Sequence, residues 1–140
     1  MNTMLRRLVP SLAAGVLLLI GTFAHADTEE QMARFRQFAA RETLVCYEQM
    51  ASLLHKVHDK KDADAAALPL KRQQRLLQAI SLMADNIPEG NRPLSEQHLY
   101  KLEKAMNEVR MSAARVLREN CYGSERLGKA IRSMASAFSF

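Results

Sequence analysis

Apolar positions along this chain recur at steps of three and four, the spacing that places side chains on one face of an α-helix, and no segment alternates with the period of a strand. Phe35, Ala39, Thr43, Cys46, Met50, Leu53 and Val57 form one such stripe, preceded by Thr28 and Gln31 in capping-box spacing and by Glu29 and Glu30 in the first turn. A second stripe runs through Leu70, Gln73, Leu77, Ile80, Ala84 and Ile87 and stops at Pro88. Pro69 fits the first turns of that helix but would break a later one. Residues 88–93, with two prolines and Gly90, are the clearest turn. Ser95 then caps a third helix, with Leu94 and Leu99 spaced as a hydrophobic staple, and its stripe is Leu99, Leu102, Met106, Val109, Ala113, Val116 and Asn120. Gly123 suits the left-handed residue that ends a helix, and Ser124 caps a short fourth helix. Leu127, Ile131, Met134 and Phe138 line one side of it, and Arg126, Lys129 and Arg132 the other. Short connections make successive helices antiparallel neighbours, so the pattern predicts an all-α, up-down bundle of three long helices and a short C-terminal fourth.

Upstream of these helices the pattern changes. Residues 1–7 carry Arg6 and Arg7 and no acid, residues 8–23 are apolar apart from breaks such as Pro10, Ser11 and Thr22, and Ala24-His25-Ala26 precedes Asp27. That order is the basic, apolar and small-x-small layout of a secretory signal peptide. The expectation is a signal over residues 1–26 and one bundle domain over 27–140, exported to the periplasm or secreted. No later segment reaches the ~18 apolar residues of a membrane span, so no transmembrane segment is expected in the mature chain.

Charge sharpens this picture at one end only. The chain has a formal net charge of +5. The first 26 residues hold two of the 20 basic residues and none of the 15 acidic ones, leaving a mild excess of +3. From Arg110 onward, Arg110, Arg115, Arg118, Arg126, Lys129 and Arg132 face only Glu119 and Glu125. Such a patch suits an acidic partner or an anionic surface, although a basic helix side of this size is ordinarily just solvated. Nucleic acid is not an expected partner, because the chain is exported and no aromatic residues interleave with the charges. Arg126, Lys129, Arg132 and Phe138 are the candidate interaction surface.

The two cysteines, Cys46 and Cys121, have neither redox C-x-x-C nor haem-attachment spacing. In an oxidising compartment they are candidates for a disulfide, and closing so long a loop would stabilise the fold by roughly 4 kcal/mol. Reach argues the other way. Cys46 lies mid-helix and Cys121 at the far end of the third helix, so in a simple bundle their levels differ by ~20 Å. His55, His58, Asp59 and Asp62 would share one face if the first helix ran through Asp62, and two imidazoles with two carboxylates suit zinc or copper(II). Lys56, Lys60 and Lys61 crowd that face and would repel a divalent ion. His98 has no nucleophile at suggestive spacing, and no glycine-rich phosphate loop occurs. No cofactor and no catalytic residue are therefore expected.

The segment Asp62-Ala63-Asp64-Ala65-Ala66-Ala67 after Val57 and His58, with Leu94-Ser95-Glu96 and Tyr122-Gly123-Ser124-Glu125-Arg126-Leu127 further on, resembles a family of short exported all-helical bacterial proteins with no assigned activity. The resemblance implies the fold and the compartment and transfers no catalytic residue. Periplasmic stress chaperones with L-T-x-x-Q motifs are a weaker resemblance, from which Leu94-Ser95-Glu96-Gln97 departs in residue type and by one position. The resulting functional expectation is a non-enzymatic binding protein, periplasmic or secreted, whose partner is another protein or an envelope surface. The alternative is a small-ligand or metal carrier using the His55/His58 face or the bundle interior.

Overall fold

Three long helices and a short fourth build the protein, in a computed structural model that describes residues 28–86 and 94–138. They are α1 (Thr28–His55), α2 (Lys60–Asp85), α3 (Glu96–Arg118) and α4 (Glu125–Phe138), with a tight turn, Asn120–Gly123, between the last two. The signal expected over residues 1–26 and the loop over residues 88–93 lie outside the described residues. Among the described residues there is no strand, and no helix is long and apolar enough to cross a membrane.

α1 is the central element and packs against both α2 and α3. This is why its buried arc is wider than one stripe. Besides the expected Phe35, Ala39, Cys46 and Met50, it buries Tyr47, Ala51 and Leu54, while Thr43 and Leu53 are only half-buried. α1 also stops sooner than its apolar period suggests. Val57 is fully buried, but it belongs to the turn that follows His55 rather than to the helix.

α2 starts earlier than expected. Asp59 is its N-cap, accepting a 2.7 Å hydrogen bond from the Asp62 backbone N–H. The alanine-rich segment that follows is thus the first part of α2, with Ala63, Ala66 and Ala67 buried. Alanine is the strongest helix former and lets neighbouring backbones approach closely. The early start leaves Pro69 well inside the helix. There it removes the bond that the carbonyl of Ala65 would have accepted, a loss made tolerable by the exposed position of Ala65.

Directions follow from named bonds. The Arg115 guanidinium, near the end of α3, donates to the carbonyls of Leu54 (2.8 Å), Val57 (3.0 Å) and His55 (3.3 Å) at the end of α1, so α1 and α3 run parallel. α4 lies along α2 in the same sense, since the Ser124 hydroxyl donates to Asp64 at 2.6 Å and the buried Gln74 amide donates to the carbonyl of Ala130 at 2.8 Å. Leu127, Ala130, Ile131 and Met134 of α4 join Leu70, Leu77, Val109 and Val116 in one contiguous core.

The last carbonyls of any helix lack intrahelical partners, and Arg115 supplies them to α1 from another element. Replacing Arg115 with Met removes its charged bonds to these carbonyls, leaving that of Val57 without this partner while that of Leu54 keeps the Val57 N–H, and should cost about 1.5–3 kcal/mol, read as a lower urea midpoint. Arg115→Lys should recover only part of it, because one ammonium cannot reproduce the planar fork.

Candidate functional site

The backbone departs furthest from ordinary geometry between α3 and α4. Asn120, Cys121, Tyr122 and Gly123 all have positive φ, at 49°, 51°, 51° and 78°. A left-handed Gly123 alone is the common way to end a helix, whereas three non-glycine residues in that region cost roughly 1–2 kcal/mol each. The surroundings hold them there. Cys121 is buried, the Tyr122 hydroxyl accepts a 3.1 Å bond from Arg115, and Ser124 is buried as the cap that accepts from the Leu127 backbone N–H at 3.2 Å.

A cleft of about 260 Å³ opens beside this turn, lined by Asn120, Cys121, Gly123, Ser124, Glu125, Gly128 and Arg132. Gly128 shapes it. A Cβ there would stand 3.3 Å from a guanidinium nitrogen of Arg132 and 3.5 Å from Cys121 Sγ, so the bare backbone lets the arginine fold back along α4 beside the thiol. Burial nonetheless pushes the Cys121 thiol up, and Arg132 only partly opposes it. The thiol stays protonated at neutral pH and is no nucleophile. The Glu125 carboxyl is held low by its hydrogen bond to Lys129, 2.8 Å away. At about 260 Å³ the cleft is smaller than the roughly 300–1,000 Å³ of a cofactor or substrate pocket.

The disulfide, which the sequence left open between compartment and reach, is not formed: Cys46 and Cys121 are both free and both buried. Cys46 lies within α1, and Cys121 in the turn after α3.

The metal candidate is also corrected. Because α1 ends at His55, His55, His58, Asp59 and Asp62 do not share a helix face. Asp59 caps α2, and Asp62 accepts the His58 backbone N–H at 3.3 Å, so both carboxylates serve the turn. Among the described residues no group of three or more His, Cys, Asp or Glu is placed to hold a metal ion. His98 sits in the first turn of α3, with its Nε2 buried and no hydrogen-bond partner for that atom.

Arg126, Lys129 and Arg132 stand on the exposed side of α4, as expected, with Lys129 paired to Glu125. The side chain of Phe138 lies outside the described part of the protein. Arg115, grouped with these cations from its charge, is instead the clamp on α1. Its position beside the stripe residues Ala113 and Val116 was the one sequence signal that it turns inward. The bond between Ser124 and Asp64 joins residues 60 positions apart and had no local signature. Comparison with protein-family models, curated proteins and solved structures finds no match to this chain.

Burial, with Glu42 adding to it, pushes the Cys46 thiol up to about 11 from its ordinary 9.0. The folded state therefore holds this proton more tightly than the unfolded chain. The associated stability is complete below pH 9 and is lost as pH rises toward 11. Urea midpoints should fall across that window, and the fall should be shallower in Cys46→Ala. In folded protein at pH 8, iodoacetamide should modify both thiols far more slowly than in urea, with Cys121 ahead of Cys46.

Proposed function

We propose that this protein is an exported, non-enzymatic interaction module of the bacterial periplasm or exterior, and that its basic α4 side meets an anionic surface of the envelope. One observation carries the reading. The apolar residues of α4, Leu127, Ala130, Ile131 and Met134, are spent on the core, and what the helix turns outward is Arg126, Lys129 and Arg132. The mode is therefore electrostatic contact rather than insertion of an apolar helix face.

Removing α4 to test this would also remove four core residues, so point variants are the sound probe. The intact protein should co-sediment with vesicles containing about one-third anionic lipid, weakly in high salt and not with neutral vesicles. Reversing two charges, Arg126→Glu with Arg132→Glu, should weaken binding at least ~30-fold, since each surface cation contributes ~1 kcal/mol. Equal binding by the variant, or none by the original protein, removes the envelope-surface reading.

A further inference from the structure

The outer face of α3 carries a second periodicity that the core does not use. Tyr100, Lys104, Asn107, Met111, Ala114 and Arg118 recur at alternating steps of four and three, and all six are exposed. They lie opposite the stripe formed by Ala105, Val109, Ala113 and Val116, which is buried against the rest of the bundle. An alternating four-three spacing is the pattern of a seam between paired helices.

The large apolar residues exposed on this face are Tyr100 at 69% and Met111 at 64%. Their arrangement is symmetric. Tyr100 and Met111 stand equally far on either side of the step from Ala105 to Met106, near the middle of α3. A helix patterned in this way is complementary to itself turned end for end. An antiparallel pair centred on that step sets Tyr100 against Met111 of the other copy, a contact occurring twice. Sulfur against an aromatic ring is itself a favourable contact.

Charge agrees with the same register. Lys101, Lys104 and Glu108 occupy one flank of the seam, with both lysines on the N-terminal side of the midpoint and the glutamate on the other. A two-fold axis perpendicular to α3 keeps each flank on its own side, so the lysines of one copy meet Glu108 of the second. A parallel pairing would oppose like charges instead.

We infer that this protein forms a homodimer through the outer face of α3, antiparallel about the step from Ala105 to Met106. The inference does not rest on the role proposed for α4. The 23 residues of α3 span ~35 Å, and a strip ~10 Å wide covers about 350 Å² per copy, under half the ~800 Å² of a standard interface. The dimer is accordingly a weak, transient one.

The test is sedimentation equilibrium of the protein as its host processes it, from a few micromolar to about 1 mM. Reversible monomer–dimer behaviour is expected. Tyr100→Glu and Met111→Glu should each raise the dissociation constant at least tenfold with unchanged helical circular dichroism, because both residues are exposed in the single chain. Leu68→Glu, at a comparably exposed apolar position on α2, should dimerise like the original. A monomer at every concentration overturns the inference, and so does a dimer that survives both α3 variants. Equal disruption by Leu68→Glu would also overturn it, since association would then be general hydrophobic adhesion.

Discussion

The Arg115 guanidinium holds three elements at once. It binds carbonyls at and just after the end of α1, thereby sets α3 parallel to α1, and braces Tyr122 inside the left-handed turn. Without that brace the turn has little reason to keep three non-glycine residues at positive φ. Without the turn, Ser124 would not sit where it both caps α4 and reaches Asp64. The direction of α4 along α2, and therefore the placing of Leu127, Ile131 and Met134 in the core, follows from a cation that composition alone assigns to the surface. Charged hydrogen bonds to part-buried carbonyls are among the stronger polar contacts a fold can make, at about 1.5–3 kcal/mol. The backbone strain of the turn is of similar size.

The all-α architecture and the helix count were legible because they rest on periodicity, which is local. Leu127, Ile131 and Met134 were read correctly, as were the caps at Ser95 and Ser124, since a cap needs only a hydroxyl and the next three residues. The boundaries around residues 56–59 were harder. Val57 keeps the apolar period of α1, so nothing local shows that the helix has stopped at His55. Four aligned ligands would need α1 to run on through Asp62, whereas Asp59 caps α2 and Asp62 accepts the His58 backbone N–H. The stripe on α3 was displaced at its start, where Leu99 is exposed and Ala105 is buried instead. A helix packed against a single neighbour, α1, needs only a narrow buried strip.

The candidate site shows the same division between local and distant information. The basic side of α4 is a property of one helix and was visible at once. The cleft is made of a turn, a glycine and an arginine whose meeting depends on backbone angles that Cys121 and Tyr122 do not announce, since both ordinarily prefer other regions. Electrostatics then limits what the cleft can do. Cys121 is buried enough to keep its proton, and Arg132 beside it offsets only part of that penalty. Proximity of a thiol to a guanidinium is therefore not activation here, because desolvation is the larger of the two effects.

The polar ties described above gather at one end and along the middle of the molecule. Asp59, Asp64, Arg115, Tyr122 and Ser124 form a knot where α1 ends and α4 begins, and Gln74 carries it toward the middle of α2. The opposite end is clothed differently. Ser81, Leu82, Ala84 and Asp85 of α2 and Leu99 and Tyr100 of α3 are exposed to solvent. Cooperative units open in order of the contacts they must break. On that ground the bundle should open as a hinge-bound book does, with backbone amides of the last turn of α2 and the first turns of α3 exchanging with solvent before those around Leu54, Val116 and Leu127.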